Sequence, residues 1–449
     1  MQNLSMKHRC IIGFTLFSMF FGAGNLIFPP LLGAQAGRDT LIAMAGLGLT
    51  AVLLPILSVM AVARHDGLTN LVGSIHPILA VLFAVFVHLM IGPCVAIPRT
   101  ASTSFEMAVA PFLHNSDQTL FLIRCVYSFV FFTVAIVIAL KPTHLKDLLG
   151  KIMTPVLLVL IAVTFFGVLV KLPALFAAPN AYYAEHPIRS GFITGYQTMD
   201  LLASLAFGII IAETIHELGV TDDKRVAFEI SRSGVIAGVL MAIIYCGLGL
   251  AGMQLGTVMP DATNGAAILA RSASMHFGLA GTVVVFAIFF LACMNVCIGL
   301  ISCCSRYFCE TYVVKGGAEA SEEAMRRPFA VLAFVFAAFS CVLSNVGLDV
   351  ILMFSVPMLN ALYPVAIVLV LMGLVHGFCD AHPQVWVWVG GVVAVQSVIT
   401  SVRDAFFGGT WLPFDALPLA DIGAAWAPVA VVAFAIGLLH SRFVAHSRS

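Results

Sequence analysis

Polar residues are sparse along this chain and fall mainly between apolar runs that are long enough, at about 20 residues, to cross a bilayer as helices. The runs lie at 10–34, 40–62, 76–98, 119–140, 150–171, 194–217, 232–254, 281–308, 328–346, 350–375, 384–402 and 422–440. The expected architecture is an all-α polytopic membrane protein with twelve transmembrane helices. No connection is long enough to hold a second folded domain, so residues 1–449 read as a single membrane domain with short loops. The longest hydrophilic connections are 174–189 and 310–327. The mixed charge of the second, Lys315-Gly316-Gly317-Ala318-Glu319-Ala320-Ser321-Glu322-Glu323, reads as a solvated linker.

Two runs are not written like ordinary membrane helices. In the first, Phe20-Phe21-Gly22-Ala23-Gly24-Asn25-Leu26-Ile27-Phe28-Pro29-Pro30 places two glycines and an amide at mid-depth. Freed backbone groups are tolerated in hydrocarbon only where they are buried in protein or line a cavity. The pattern therefore predicts a broken helix, with N–H groups on one half-end and carbonyls on the other, a pairing suited to a zwitterion or to an anion and a cation together. The glycines alone would favour close helix packing; Asn25 and the two prolines tip the balance to the break. In the sixth run, Met199-Asp200-Leu201-Leu202-Ala203-Ser204-Leu205-Ala206-Phe207-Gly208 carries an acid, a hydroxyl and a glycine. If runs one to five and six to ten are inverted repeats, their first members should both be broken and face each other across a central site. This gives a five-plus-five inverted repeat with broken first and sixth helices, residues 10–171 and 194–375, followed by two additional helices at 384–440. Ser204 can alternatively bond back to its own helix and Gly208 serve close packing. Asp200 is costly within a membrane unless paired, protonated or near the interface.

Other polar positions add candidates. Gly92-Pro93 frees the carbonyl of Leu89, which can face the site or mark a packing kink. Arg99, Thr103 and Glu106 share one helical face, suggesting an Arg99–Glu106 network near the outer mouth that gates access or ties helices together. Asn295, Gly299 and Ser302 form a polar stripe on the eighth run, the kind of stripe that faces a bundle interior. Ser355-Val356-Pro357 and Tyr363-Pro364 are two candidate kinks in the tenth.

Composition agrees with the pattern: of 449 residues 61% are hydrophobic and only 10% charged, against about a quarter charged in soluble domains. Lys7 and Arg9 precede the first run, which has no cleavage site at signal-peptide distance and reads as a retained helix. Lys and Arg are in excess in the alternate connections that include Lys7, Arg9, Arg64, Lys224 and Arg306, which puts both termini in the cytoplasm. Net charge is zero and no basic cluster stands out, so nothing points to nucleic acid, and membrane lipid is the only bulk partner implied. The eleven cysteines lie mostly inside apolar runs without a disulfide framework or CxxC pair; Cys293 and Cys297 read as small hydrophobes rather than as metal ligands. No His-Glu-x-x-His, Gly-x-Ser-x-Gly or paired intramembrane aspartate suggests an enzyme.

An ordered series of motifs identifies a family. Phe21-Gly22-Ala23-Gly24-Asn25-Leu26-Ile27-Phe28-Pro29-Pro30, Gly92-Pro93 with Ile97-Pro98-Arg99-Thr100-Ala101, and Ser104-Phe105-Glu106 are followed by Gly195-Tyr196-Gln197-Thr198-Met199-Asp200. Asn264-Gly265-Ala266-Ala267-Ile268-Leu269, Ser344-Asn345-Val346-Gly347-Leu348 and Ser355-Val356-Pro357 complete it. Across nearly its whole length the chain resembles the branched-chain amino acid:cation symporters, the BrnQ-type carriers. The resemblance implies a secondary carrier that brings leucine, isoleucine and valine into a bacterial cell across the cytoplasmic membrane, with a co-transported cation. It also implies the leucine-transporter fold. Gly22-Ala23-Gly24-Asn25 resembles the unwound first helix of the neurotransmitter:sodium symporters, and Ser204-Leu205-Ala206-Phe207-Gly208 their unwound sixth, where the serine and phenylalanine positions touch substrate. Leu202 stands where those proteins place a sodium-binding threonine, and Asn295-Val296 and Ile301-Ser302 replace hydroxyl residues common in the family.

The expected binding scheme follows. Gly22, Ala23, Gly24 and Asn25 hold the substrate carboxylate, carbonyls around Ser204 take the ammonium, Phe207 packs against the aliphatic side chain, and Gly208 and Leu89 belong to the same substrate site. The cation, sodium by this scheme, sits between the first break and the inner half of the eighth run, on carbonyls near Phe20 and Phe21 and on Ser302, with Asn295 on the same stripe. A proton would instead require a titratable group such as Asp200 or Glu106. No cofactor is expected beyond the coupling ion, Na+ or H+. Competing readings are a carrier of another small neutral solute on the same fold, and a channel, since mid-depth breaks also occur in selectivity filters.

Overall fold

The computed structural model describes residues 4–110, 113, 117–140, 153–169, 176–220, 222–260, 262, 264–314, 322–408, 414–420 and 423–448. Among them the regular structure is helical throughout. In chain order the helices are α1 (Met6–Phe20), α2 (Ala23–Ala36), α3 (Thr40–Gly48), α4 (Leu54–Arg64), α5 (Leu68–Gly73), α6 (Pro77–Leu89), α7 (Ala96–Ala108), α8 (Asp117–Ala139) and α9 (Thr154–Leu169). There follow α10 (Ala181–Ala184), α11 (Pro187–Tyr196), α12 (Asp200–Glu217), α13 (Asp223–Leu255), α14 (Gly265–Phe308), α15 (Glu322–Ser344), α16 (Leu348–Leu374), α17 (His376–Asp380), α18 (Pro383–Phe406) and α19 (Trp426–Arg448). Residues 315–321 of the expected linker lie outside the described residues.

Nine helical stretches among the described residues are long and apolar enough to cross a membrane. The first expected segment divides into α1 and α2, and the sixth into α11 and α12, so each appears as two short pieces. Position in the bundle follows from side-chain burial. The most apolar window of α14 is 67% buried, whereas those of α8 and α19 are 22% and 11% buried. Leu122, Phe129 and Val342 are correspondingly exposed on α8 and α15, as lipid-facing residues are. The interior side of the bundle is built around α1, α2, α12, α13 and α14, which supply much of one continuous apolar core, while Ala34, Leu255 and Ile268 form a small second cluster.

Small residues set the closest approaches. A Cβ on Gly265 of α14 would lie 1.8 Å from the Ile27 carbonyl oxygen of α2, and one on Gly252 of α13 would lie 1.9 Å from that of Pro30. Backbone meets backbone at both places, the arrangement by which membrane helices gain dispersion contact without a hydrophobic driving force. Pro29 and Pro30 lie inside α2, and Pro357 and Pro364 inside α16, without ending either helix. The carbonyl of Pro357 accepts a hydrogen bond from Ser401 Oγ at 2.5 Å.

Candidate functional site

The first break is local chemistry made visible. α1 stops when Phe21 N–H closes on the Phe17 carbonyl at 2.8 Å and Phe21 and Gly22 turn to extended backbone. Gly22 N–H then donates to Asn25 Oδ1 at 3.1 Å, a side-chain cap that starts α2 in a new direction. No side chain fits at Gly22, where a Cβ would meet Val296 of α14 at 2.7 Å. The first N–H groups of α2 and the last carbonyls of α1 are left without helical partners, as at any helix end.

The second break lies at Gln197–Met199, between α11 and α12. Met199 sits in the left-handed region with φ 68°, an uncommon conformation for a side chain of its size. α12 then runs unbroken from Asp200 to Glu217 through Ser204–Gly208. The expected unwinding at Ser204–Gly208 is therefore corrected: the chain unwinds before Asp200, where three successive 3₁₀-type bonds, Gln197 to Thr194, Thr198 to Gly195 and Met199 to Tyr196, end the preceding helix.

A third element enters from α7. The π-turn Met90–Cys94, with Gly92 at ψ −127°, redirects the third segment so that Arg99 reaches the second break. Its guanidinium donates to the carbonyls of Gln197 at 2.8 Å and Thr198 at 3.3 Å and lies 6.0 Å from the Phe28 ring centroid. Gly24 is required by this approach, since a Cβ there would be 2.7 Å from Arg99 Nη2 and 3.0 Å from Thr198 Cα.

The two broken segments are joined by a buried polar triad. Asn25 Nδ2 donates to Asp200 Oδ2 at 2.6 Å and to the hydroxyl of Tyr245 on α13, and Tyr245 Oη lies 3.2 Å from the same carboxylate oxygen. Asn25, Arg99, Asp200 and Tyr245 are 1%, 4%, 2% and 1% exposed, so none of these groups has bulk water as a partner. A small cavity of about 30 Å³ lies beside them, walled by Gly24, Asn25, Arg99 and Asp200 on its polar side and by Ile91 and Val296 on its apolar side. An N–H-rich helix end, a carboxylate and an apolar wall around one small cavity are the chemistry that recognises a group carrying both charges and a hydrocarbon tail.

Of the expected site residues, Phe20, Gly22, Ala23, Gly24, Asn25, Arg99 and Asp200 line this cavity. Phe21 is buried beside it, stacked on Phe17 with centroids 4.9 Å apart. Ser204 turns away, donating to the Leu201 carbonyl at 2.6 Å, because the helix around it is intact. Phe207 lies behind Phe20 at 6.4 Å between centroids, and Gly208 packs on Val62, whose Cγ1 would be 2.7 Å from an added Cβ. Leu89 is also outside the cavity wall; the π-turn moves the backbone hydrogen bond one residue along and accommodates the carbonyl that proline would otherwise strand. Glu106 pairs with Arg124 of α8 at 2.5 Å and not with Arg99, whose guanidinium reaches the Gln197 and Thr198 carbonyls instead. Asn295 is fully buried with neither side-chain polar atom hydrogen-bonded, and Ser302 Oγ is likewise unpartnered among the described residues. Sequence reasoning missed Tyr245 and the Gln197 and Thr198 carbonyls. The only signal for Tyr245 is a phenol in the otherwise apolar Ala242-Ile243-Ile244-Tyr245-Cys246.

Residues 5–444 match the family model described as branched-chain amino acid transport protein. The branched-chain amino acid permease BraB of Bacillus subtilis is 32% identical over all of this chain and 98% of its own length. The branched-chain amino acid transport system 2 carrier protein of Pseudomonas aeruginosa is 34% identical over 100% and 99% of the two chains. Escherichia coli BrnQ, a branched-chain amino acid permease, is 32% identical over 98% and 97%. Among solved structures, a Na+-coupled sialic acid symporter in a substrate-bound outward-open state superposes with a TM-score of 0.55 at 15% identity, covering 96% of this chain and 89% of that one. It shares the fold.

Proposed function

Because the chain belongs to the branched-chain amino acid transport protein family, we propose that it imports leucine, isoleucine and valine by symport with a monovalent cation, sodium in the first instance. It is a multi-pass membrane transporter and not an enzyme. The observation that carries the reading is the meeting of two broken helices at a small cavity with a free helix N-terminus, a carboxylate and an apolar wall. In this scheme the substrate carboxylate binds the N–H groups of Ala23, Gly24 and Asn25, where the helix dipole favours an anion. The ammonium binds toward Asp200, and the branched side chain packs on Ile91 and Val296. Twelve helices in a five-plus-five inverted repeat, with both termini cytoplasmic in a bacterial inner membrane, complete the proposal.

Sodium would sit at the carbonyl end of α1, near Phe20 and Phe21, and on the Ser302 hydroxyl; no cofactor enters the cycle. The unpartnered Ser302 Oγ supports this, since a buried hydroxyl without a hydrogen bond is costly unless something fills its shell. One observation favours a proton instead: Asp200 is a buried carboxylate at the cavity itself. Uptake of labelled leucine, isoleucine and valine into proteoliposomes under separate sodium and proton gradients tests both. No accumulation under either gradient would defeat the substrate assignment. Under sodium coupling, Ser302→Ala raises the sodium concentration for half-maximal uptake while Asp200→Asn leaves the ion dependence alone. Loss of pH-driven uptake in Asp200→Asn, with Ser302→Ala behaving as wild type in sodium, would replace sodium by the proton.

A further inference from the structure

Two broken segments produce two carbonyl-bearing helix ends, and each is a place where negative potential collects. The two ends are treated differently in this protein. At the end of α1, the carbonyls of Ser18, Met19, Phe20 and Phe21 receive no side-chain donor among the described residues, and Ser18 Oγ nearby is buried and unpartnered. At the end of α11, Arg99 donates to the carbonyls of both Gln197 and Thr198. We propose that Arg99 is a resident cation: its guanidinium permanently occupies the carbonyl end of the second broken segment, so that an exchangeable ion can bind only at the first.

Three features fit a built-in ion better than a surface tie. The guanidinium is buried and reaches the break from a different segment, through the redirected backbone at Gly92–Pro93. Its space is reserved by Gly24, where any side chain would collide with Nη2. A carboxyl group, Asp200 at the start of α12, also lines the same cavity. An arginine suits the position because its fork spans two carbonyls with donors to spare, and because it keeps its proton. The carbonyl end of α11 thus needs no ion from solution, and the carrier translocates a single positive charge with each neutral amino acid. This consequence for coupling rests on the symport reading; the occupancy of the α11 end does not.

The experiment separates the two. Arg99→Ala empties the carbonyl end and should lower the thermal transition of the purified carrier. Guanidinium chloride at about 10 mM, far below the range in which it denatures, should restore much of that loss in Arg99→Ala while leaving the wild type unmoved; urea, the neutral isostere, should restore none. Arg99→Lys, which keeps the charge but not the fork, should fall between the two and gain nothing from guanidinium. Equal responses to guanidinium and urea, or the same response in wild type, would overturn the resident cation without reference to transport. In proteoliposomes the wild type should carry one charge per leucine, and Arg99→Ala should lose about tenfold in uptake, the size expected for a charge-assisted contact, with guanidinium restoring it. A wild-type ratio of two charges per leucine would overturn the coupling claim even if Arg99→Ala does not fold. An absence of any leucine uptake by wild type, with the guanidinium effect on stability intact, would instead remove the transport reading and leave the resident cation standing.

Discussion

Replacing Asn25 by alanine removes three buried hydrogen bonds at one stroke: the cap to Gly22 N–H, the bond to Asp200 and the bond to Tyr245. The cap resembles other helix N-caps, for which loss costs about 1 kcal/mol. Each bond between helices in a membrane contributes about 0.6–2 kcal/mol. The total loss is then about 2–5 kcal/mol, toward the lower end where cavity water can reach the bereft groups. Tyr245→Phe removes only the hydroxyl, which has the same two partners, Asn25 and Asp200. Because the two residues touch, their effects should not add: a double-mutant cycle should give a coupling energy of about 0.6–2 kcal/mol. Reversible unfolding in mixed micelles measures all four corners of the cycle. Additivity to within about 0.3 kcal/mol would mean that the triad does not act as a unit and that the description of the joint between the two breaks is wrong.

Gly24→Ala should reduce uptake more than it reduces stability, because the arginine tip can shift from the new Cβ but the Thr198 backbone at 3.0 Å cannot; wild-type uptake in this variant would show that the segments separate freely there. Gly191→Ala should prevent stable folding, since its Cβ would lie 1.8 Å from the Ala43 carbonyl oxygen, and a thermal transition close to wild type would contradict the packing of α3 on α11. Glu229→Gln should lower the thermal transition, because Arg9 holds this buried carboxylate through both Nε at 2.6 Å and Nη2 at 2.8 Å. Arg9→Met combined with Glu229→Met should recover part of the loss, as removing both members of a buried pair leaves no charge stranded; a double variant less stable than either single one would refute this.

The broken first segment was legible because glycine, asparagine and proline in the middle of an apolar run have few other uses at that depth. The sixth was legible only as a region. Met199 occupies the left-handed turn without any sequence mark of it, while Ser204 and Gly208 carry the familiar mark and sit in unbroken helix. Arg99 and Glu106 share a face at helical spacing, yet each found a nearer partner, Arg99 in backbone carbonyls and Glu106 in Arg124. Periodicity reports which way a side chain points along its own helix and says nothing of what another segment places opposite. The cavity's polar wall depends on such pairings across the chain, from Asn25 to Asp200 and from Arg99 to Thr198, and no local pattern encodes them.

The loop that enters α11 has a mechanical consequence. Asn180 N–H donates to the Gln35 carbonyl at 2.8 Å and Arg38 N–H to that of Ala177 at 3.1 Å, splicing residues 177–180 onto the end of α2. Gly37, with φ 50°, permits this, as a Cβ there would lie 2.0 Å from the Ala177 oxygen. α11 is pressed in turn against α3 at Gly46 and Gly191, backbone on backbone. Backbone contacts thus tie α2, α11 and α3 to one another, and any parting of α2 from α11 must break the Asn180–Gln35 and Arg38–Ala177 hydrogen bonds. The non-helical stretches Phe21–Gly22 and Gln197–Met199 are where α1 and α12 leave this tied unit, so a change of shape at the cavity has its softest backbone there.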